Sequence, residues 1–222
     1  MSIILVVAPH PDDETLGCGG TLLRAIAEGA TVHWAIASLM TREAGFSEAR
    51  ITARAAEIAQ VAAAYGFASV HQAPFSAARL DTVPMAERVG WFSAVVSVVQ
   101  PSALYLPYPH DVHSDHAAVF DAASACSKAF RHPSVHQVYC YETLSETEFG
   151  LRPGAAPFHP NRFVDISAHL ERKIEIMSLY AGEMASPPFP RSAEAIRALA
   201  TLRGVVASSL AAEAFMILRD IE

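Results

Sequence analysis

A mostly parallel α/β sheet with helices on both faces is predicted by the order of the sequence pattern. Short apolar runs rich in β-branched residues alternate with stretches of helical period from residue 3 to residue 141. Alternation of this kind builds βαβ units, and so a parallel sheet covered on both faces. In addition, two dense polar clusters each follow a strand immediately, and ligands of open parallel sheets bind beyond the carboxyl ends of the strands. Both clusters are therefore expected on one rim, although a hundred residues of chain separate them.

The elements follow in order. Residues 3–8, IILVVA, read as a buried strand, and residues 16–27 as the helix after it, ended by Glu28-Gly29. Residues 31–39 form a second strand and 41–47 a polar loop. Residues 48–65 form an Ala-rich helix, with Ile51, Ala55, Ile58 and Ala62 at helical spacing and Gly66 closing it. A third strand over 69–73 leads into a loop to Pro84. The helix over 85–99 stops before Pro101. A fourth strand over 103–108 has an irregular end at Pro107. The next helix is expected over 117–130 and a fifth strand over 135–141, followed by a long loop to residue 161. Beyond it lie a strand over 162–166, a helix over 168–181, a proline-rich break at 186–190, a helix over 192–207 and a last extended segment at 213–219.

The 222 residues, 52% of them apolar, suit one large domain with a sizeable core. A formal net charge of -7 disfavours wrapping nucleic acid or an anionic membrane. No basic stretch precedes Ile3, and that apolar run is too short for a signal segment or a membrane span, so a cytoplasmic protein without a membrane span is expected. Cys18, Cys126 and Cys140 are widely spaced and odd in number, which argues against a disulfide framework or a Cys-rich zinc module.

The chemistry lies in the two clusters. Pro9-His10-Pro11-Asp12-Asp13-Glu14 places one imidazole and three carboxylates at the end of the first strand, and His110-Asp111-Val112-His113-Ser114-Asp115-His116 follows the fourth. Zinc and iron(II) take imidazole nitrogen and carboxylate oxygen, and a catalytic site uses three protein ligands with one position open. His10 with Asp12 or Asp13 supplies two ligands, and His116 or His113 the third. The remaining carboxylate is then placed to take a proton from water, and the remaining imidazole to donate to an oxyanion or a leaving nitrogen, with Asp115 orienting that imidazole. Spacing leaves open which carboxylate does which. Asp13 or Thr15 could equally cap the first helix, and Ser114 or Asp115 the later one. Gly17-Cys18-Gly19-Gly20 lacks the G-x-G-x-x-G spacing of a dinucleotide loop; its glycines are expected to allow close helix–sheet packing. His33, His71 and His136 read as core or sheet-edge residues, and His132, His159 and His169 as surface ones.

These motifs resemble the PIG-L/LmbE family of zinc-dependent N-deacetylases. Its A-H-P-D-D-E signature followed by G-x-G-G stands here as residues 9–14 and 17–20, with Pro9 in place of alanine. Its H-x-D-H signature is His113-Ser114-Asp115-His116. Arg54-Ala55-Ala56-Glu57, Phe163-Val164-Asp165-Ile166-Ser167 and Ala212-Glu213-Ala214-Phe215 resemble later landmarks, so the likeness covers nearly the whole chain. The resemblance implies a Rossmann-like, LmbE-like domain over residues 1–222 with a zinc site at the strand ends. It implies His10, Asp13 and His116 as zinc ligands, Asp12 as general base, and His113 as the oxyanion or leaving-group partner with Asp115 behind it. It also implies Arg54 as a substrate-binding residue; Arg42, Arg50 and Arg79 are weaker candidates. The implied activity is removal of an N-acetyl group from an N-acetylglucosamine-type sugar or sugar conjugate, by attack of a zinc-bound water. The expected partner is that small N-acetylated molecule; the sequence leaves a homo-oligomer open. A zinc amidase of a thiol–sugar conjugate and a non-enzymatic sugar or nucleotide binder are the alternatives. The segment 75–81, FSAARLD, lacks the D-G pair of many family members, which bears on substrate identity.

Overall fold

The structure, a computed structural model, describes residues 2–151 and 153–222. A seven-stranded sheet runs in the order β3-β2-β1-β4-β5-β7-β6. Its strands are β1 (Ile3–Ala8), β2 (Thr31–Ile36), β3 (Ser69–Gln72), β4 (Ala103–Pro107), β5 (Gln137–Tyr141), β6 (Arg162–Asp165) and β7 (Ala212–Asp220). β1 to β5 pair in parallel, whereas β7 runs antiparallel to both β5 and β6. The helices are α1 (Asp13–Ala27), α2 (Glu48–Tyr65), α3 (Met85–Val99), α4 (Ser114–Ser124), α5 (Leu170–Met177) and α6 (Ala193–Ala207). The mixed α/β class and the mostly parallel sheet are as expected; the antiparallel return at the C-terminal edge lies beyond the alternating pattern that predicted them. Among the described residues no helix is long and apolar enough to cross a membrane.

Side chains of the central strands alternate between two cores, as the period of two requires. Ile4, Val6 and Ala8 of β1 join Val32, Trp34 and Ile36 of β2 on the face covered by α1, α2 and α5. Leu5 and Val7 join Ala35, Leu104 and Leu106 on the face covered by α3 and α4. The expected glycine packing is present. A methyl group at Gly20 would lie 2.7 Å from Ile166, and one at Gly17 would collide with the Tyr141 ring. Tyr141 in turn donates its hydroxyl to the Val7 carbonyl at 2.8 Å, which fixes the ring on which Gly17 of α1 packs. Glu213 of β7 accepts from the Gly20 and Thr21 amides at 2.9 and 2.7 Å, and Lys173 of α5 bonds both Glu213, at 2.7 Å, and the Leu16 carbonyl, at 2.8 Å. This buried ion pair ties the C-terminal third of the chain to the helix that carries Asp13.

Several boundaries differ from expectation. α1 starts at Asp13, and α4 starts at Ser114 rather than 117, because the His113 side chain accepts the Asp115 amide at 3.1 Å and caps the helix itself. A carboxylate or imidazole of each cluster is thereby drawn into a helical first turn. α4 gives way after Ser124 to a 3-10 turn, and α5 covers only part of 168–181. His132, expected at the surface, is buried beside Ser93.

Candidate metal centre

The crossovers from β1 lead away through β2 to β3, while β4 lies on the opposite side of β1. The strand order therefore reverses between β1 and β4, where the ends of adjacent loops diverge and leave a crevice. The loop after β1 carries residues 9–12 and the loop after β4 carries 108–113, so the two clusters meet there. Imidazole centroids of His10 and His116 lie 5.8 Å apart, and those of His10 and His113 4.5 Å.

His10, Asp13 and His116 converge on one point. Asp13 Oδ2 lies 3.5 Å from His10 Nδ1 and 3.4 Å from His116 Nε2. Ligand atoms at these separations match the edges, roughly 3.3–3.4 Å long, of a tetrahedron built on metal bonds of about 2.0–2.1 Å. His116 Nε2 is buried with no hydrogen-bond partner, so the donor set fits a divalent metal. His10, His113 and Asp115 form a second close group. There, however, Asp115 already accepts from the Ala78 amide at 2.7 Å, the Leu80 amide at 3.0 Å and His10 Nε2 at 2.9 Å. That carboxylate is a brace. It fixes the His10 tautomer and leaves Nδ1 as the free ligand atom. Asp115 thus stands behind His10, not behind His113 as expected; what His113 receives from that residue is its backbone N–H on Nδ1. A neutral imidazole so held carries its hydrogen on Nε2.

The charges are strongly coupled. Burial disfavours a charged His10, but hydrogen bonds to Asp115 and Asp13 outweigh it and raise its pKa to about 9. Burial likewise opposes the charge on His116, which Asp13 and Asp111 nevertheless raise well above the ordinary value. Burial would raise Asp13, but the two imidazoles hold it far below the carboxylate range. Asp12 goes the other way: burial, Asp13 and Glu183 push it up, against Arg191. Burial and the neighbouring His10 lower His113.

Asp12 sits at the N-cap position of α1 with φ 139°, and its side chain caps nothing. That conformation is sparsely populated for any residue but glycine and turns the carboxylate into the crevice. Arg191 Nη1 meets Asp12 Oδ2 there at 3.2 Å. A cavity of about 270 Å³ opens over the site, with His10, Asp12, Asp13, His113, Glu146 and Arg191 on its polar side and Leu39, Met40 and Phe46 on its apolar side. A larger hollow of about 440 Å³ at the other end of the strands contains Arg24, Tyr105 and Arg162, but none of the grouped metal-ligand side chains found among the described residues. Arg54 also lines the smaller cavity, but is only 4% exposed. Its guanidinium donates to the Pro11 carbonyl at 2.8 Å and pairs with Glu57 and Glu183, so it supports the first loop. Arg42, expected only weakly as a substrate contact, pairs with Glu48, and Arg50 with Glu57.

Several residues of the site had no role in the sequence reading. Asp111 accepts from His116 Nδ1 at 2.6 Å; its only signal was its place five residues before His116. Glu146, Glu183 and Arg191 come from loops whose sequence carries no periodicity.

Residues 5–127 match the PIG-L family, described as GlcNAc-PI de-N-acetylase. A curated relative, the probable N-acetyl-alpha-D-glucosaminyl L-malate deacetylase 2 of Bacillus cereus, is 31% identical over 147 residues, which are 61% of this chain. The match spans 66% of that relative, just under two thirds of its length. The conserved protein TT1542 from Thermus thermophilus is 28% identical, with a TM-score of 0.79 over 100% of this chain and 97% of its own. GalB, the 4-carboxy-2-hydroxymuconate hydratase of Pseudomonas putida, shares the fold at 20% identity, with a TM-score of 0.78 over 100% of this chain and 98% of its own. A deacetylase related in sequence and a hydratase that shares the fold mean that activity has to be argued from the site.

Proposed function

Because this chain belongs to the PIG-L family, we propose that it is a zinc-dependent hydrolase removing the N-acetyl group of an N-acetylglucosamine-type sugar or sugar conjugate. The observation that carries this reading is a further carboxylate, Asp12, turned into the same crevice as the His10–Asp13–His116 donor set. A binding protein has no need of such a base. The family description and the name of the Bacillus relative favour an N-acetylated sugar conjugate as substrate.

His10 through Nδ1, Asp13 through its carboxylate and His116 through Nε2 would hold the metal. Bound there, it supplies a Lewis acid for the amide carbonyl and for water. Asp12 takes the proton of the attacking water. His113 presents Nε2–H to the oxygen that gains charge as the carbonyl becomes tetrahedral. Its Nδ1 already accepts the Asp115 amide, so His113 acts as a neutral donor. The proton on Asp12 then goes to the departing nitrogen, and acetate and the free amine remain. Met40, Phe46, Glu146 and Arg191 line the cavity in which the sugar or its aglycone would sit. The buried cysteines Cys18, Cys126 and Cys140 are unbridged, which suits the reducing cytoplasm we propose as its setting.

The test is acetate and amine release from a panel of N-acetylated sugars, nucleotide sugars and glycoconjugates, with metal content measured alongside. Activity confined to thiol–sugar amides points to the amidase reading. Stoichiometric metal with no amide hydrolysis across the panel overturns the enzyme reading.

A further inference from the structure

An imidazole offers a metal whichever nitrogen its other hydrogen bond leaves free. For His116 that choice can be traced to a source outside both polar clusters. Asp111 Oδ2 faces His116 Nδ1 at 2.6 Å, and both residues are fully buried. The other oxygen of that carboxylate, Oδ1, receives the Thr147 hydroxyl at 2.6 Å. The Thr147 oxygen itself accepts the Thr143 backbone N–H at 2.8 Å. A backbone amide can only donate. The hydroxyl therefore accepts at that end and gives its single proton to Asp111. The proton donated to Oδ1 favours the ionised carboxylate, which accepts at Oδ2 the hydrogen that Nδ1 of His116 carries. The lone pair is left on Nε2, the buried atom without a partner that lies 3.4 Å from Asp13.

We propose that Thr147, acting through Asp111, is the positioning residue that fixes the His116 tautomer for metal binding. The 143–150 segment of the long loop after β5 is then part of the metal centre. Two further contacts hold that segment in place. The Glu146 carbonyl accepts the Val112 amide at 3.2 Å, and the Glu146 carboxylate accepts the His113 amide at 3.2 Å. Gly150 packs so closely on the His110 carbonyl that a side chain there has no room. The inference rests on His116 being a ligand, and its test separates the two claims.

The measurement is zinc affinity of the metal-depleted full chain, by competition with a chromophoric chelator, with the cobalt(II) absorption spectrum as a second readout. Thr147→Val keeps the shape and removes the hydroxyl. It is expected to weaken zinc binding by roughly 10–100-fold, the usual effect of losing such an outer hydrogen bond, and to shift the cobalt band. Thr147→Ser restores the hydroxyl and is expected to restore both. Wild-type affinity in Thr147→Val overturns the proposal, as does a serine variant as weak as the valine one, which would mean that packing alone matters. If Thr147→Val does not fold, Asp111→Asn must show the same loss of affinity, and wild-type affinity there overturns the proposal. His116→Ala with undiminished zinc affinity would instead overturn the ligand assignment.

Discussion

Asp12→Asn separates the proposed base from the proposed ligands. The side chains are nearly isosteric, so the crevice keeps its shape. General-base assistance is typically worth about 10²–10⁴ in rate, or roughly 3–5 kcal/mol of barrier at 1.36 kcal/mol per decade. kcat should fall by that factor, with KM little changed. Stability should barely move, for two opposed reasons. The substitution removes one partner of Arg191, which keeps Glu183 at 3.3 Å and is itself partly exposed, with 25% of its side-chain surface accessible. A pair of that kind is worth at most about 1 kcal/mol. It also removes a buried carboxylate that crowds Asp13 and Glu183. The net Tm shift should stay within roughly 2–4 °C, the response of a chain this size to 1 kcal/mol. The assay is initial-rate acetate release with metal-to-protein ratio and thermal melts on the same samples. Loss of the metal would exchange the roles of Asp12 and Asp13, and a rate within tenfold of wild type would refute Asp12 as the base.

Other substitutions probe other links. His116→Ala should lose stoichiometric metal while remaining folded, measured by elemental analysis and circular dichroism. Gly20→Ala sets a methyl 2.7 Å from Ile166 and should destabilise by about 1–3 kcal/mol through overpacking, read from denaturant midpoints. Lys173→Met leaves Glu213 buried without its cation, and breaking such a pair should cost about 3–5 kcal/mol in the same measurement. Asp12→Gly should melt above Asp12→Ala, because only glycine takes φ 139° without strain of about 1–3 kcal/mol, although both variants lose the base.

What was legible in the sequence follows from how local each cause is. The strands β1 to β4 are fixed by runs such as IILVVA, and α2 by its spacing and by Gly66, which takes φ 78° at the helix end. Both metal-type loops could be put on one rim because parallel connectivity alone requires it. The helix starts were misplaced because the residues that set them, Asp12 and His113, act there through backbone strain and an imidazole cap rather than through the usual capping side chains. The C-terminal strand pair could not be oriented because β6 and β7 pair antiparallel across two intervening helices, outside the β–α alternation that implies parallel neighbours. Thr147 and Arg191 escaped notice for a related reason. Each acts by meeting a carboxylate far away along the chain, and no local pattern records such a meeting.

The misplaced boundaries and the proposed chemistry coincide for a physical reason. A helix start is normally stabilised by a side chain that accepts one of its free amides. At α1 the residue in that position, Asp12, faces the cavity, and its own amide donates to the Glu14 carboxylate at 3.1 Å. Glu14 is fully buried and held by Thr15 and Tyr180 at 2.6 and 2.7 Å, and burial raises its pKa to about 7. One strained backbone, one uncapped helix end and three buried acids are thus concentrated within three consecutive residues. Tyr141, bonded to the Val7 carbonyl, and Lys173, bonded to Glu213 and the Leu16 carbonyl, hold the chain on either side of that turn. A relaxed turn would let the Asp12 side chain cap α1 and remove the carboxylate from the crevice, so the closely packed glycines of α1 serve the site as much as the core.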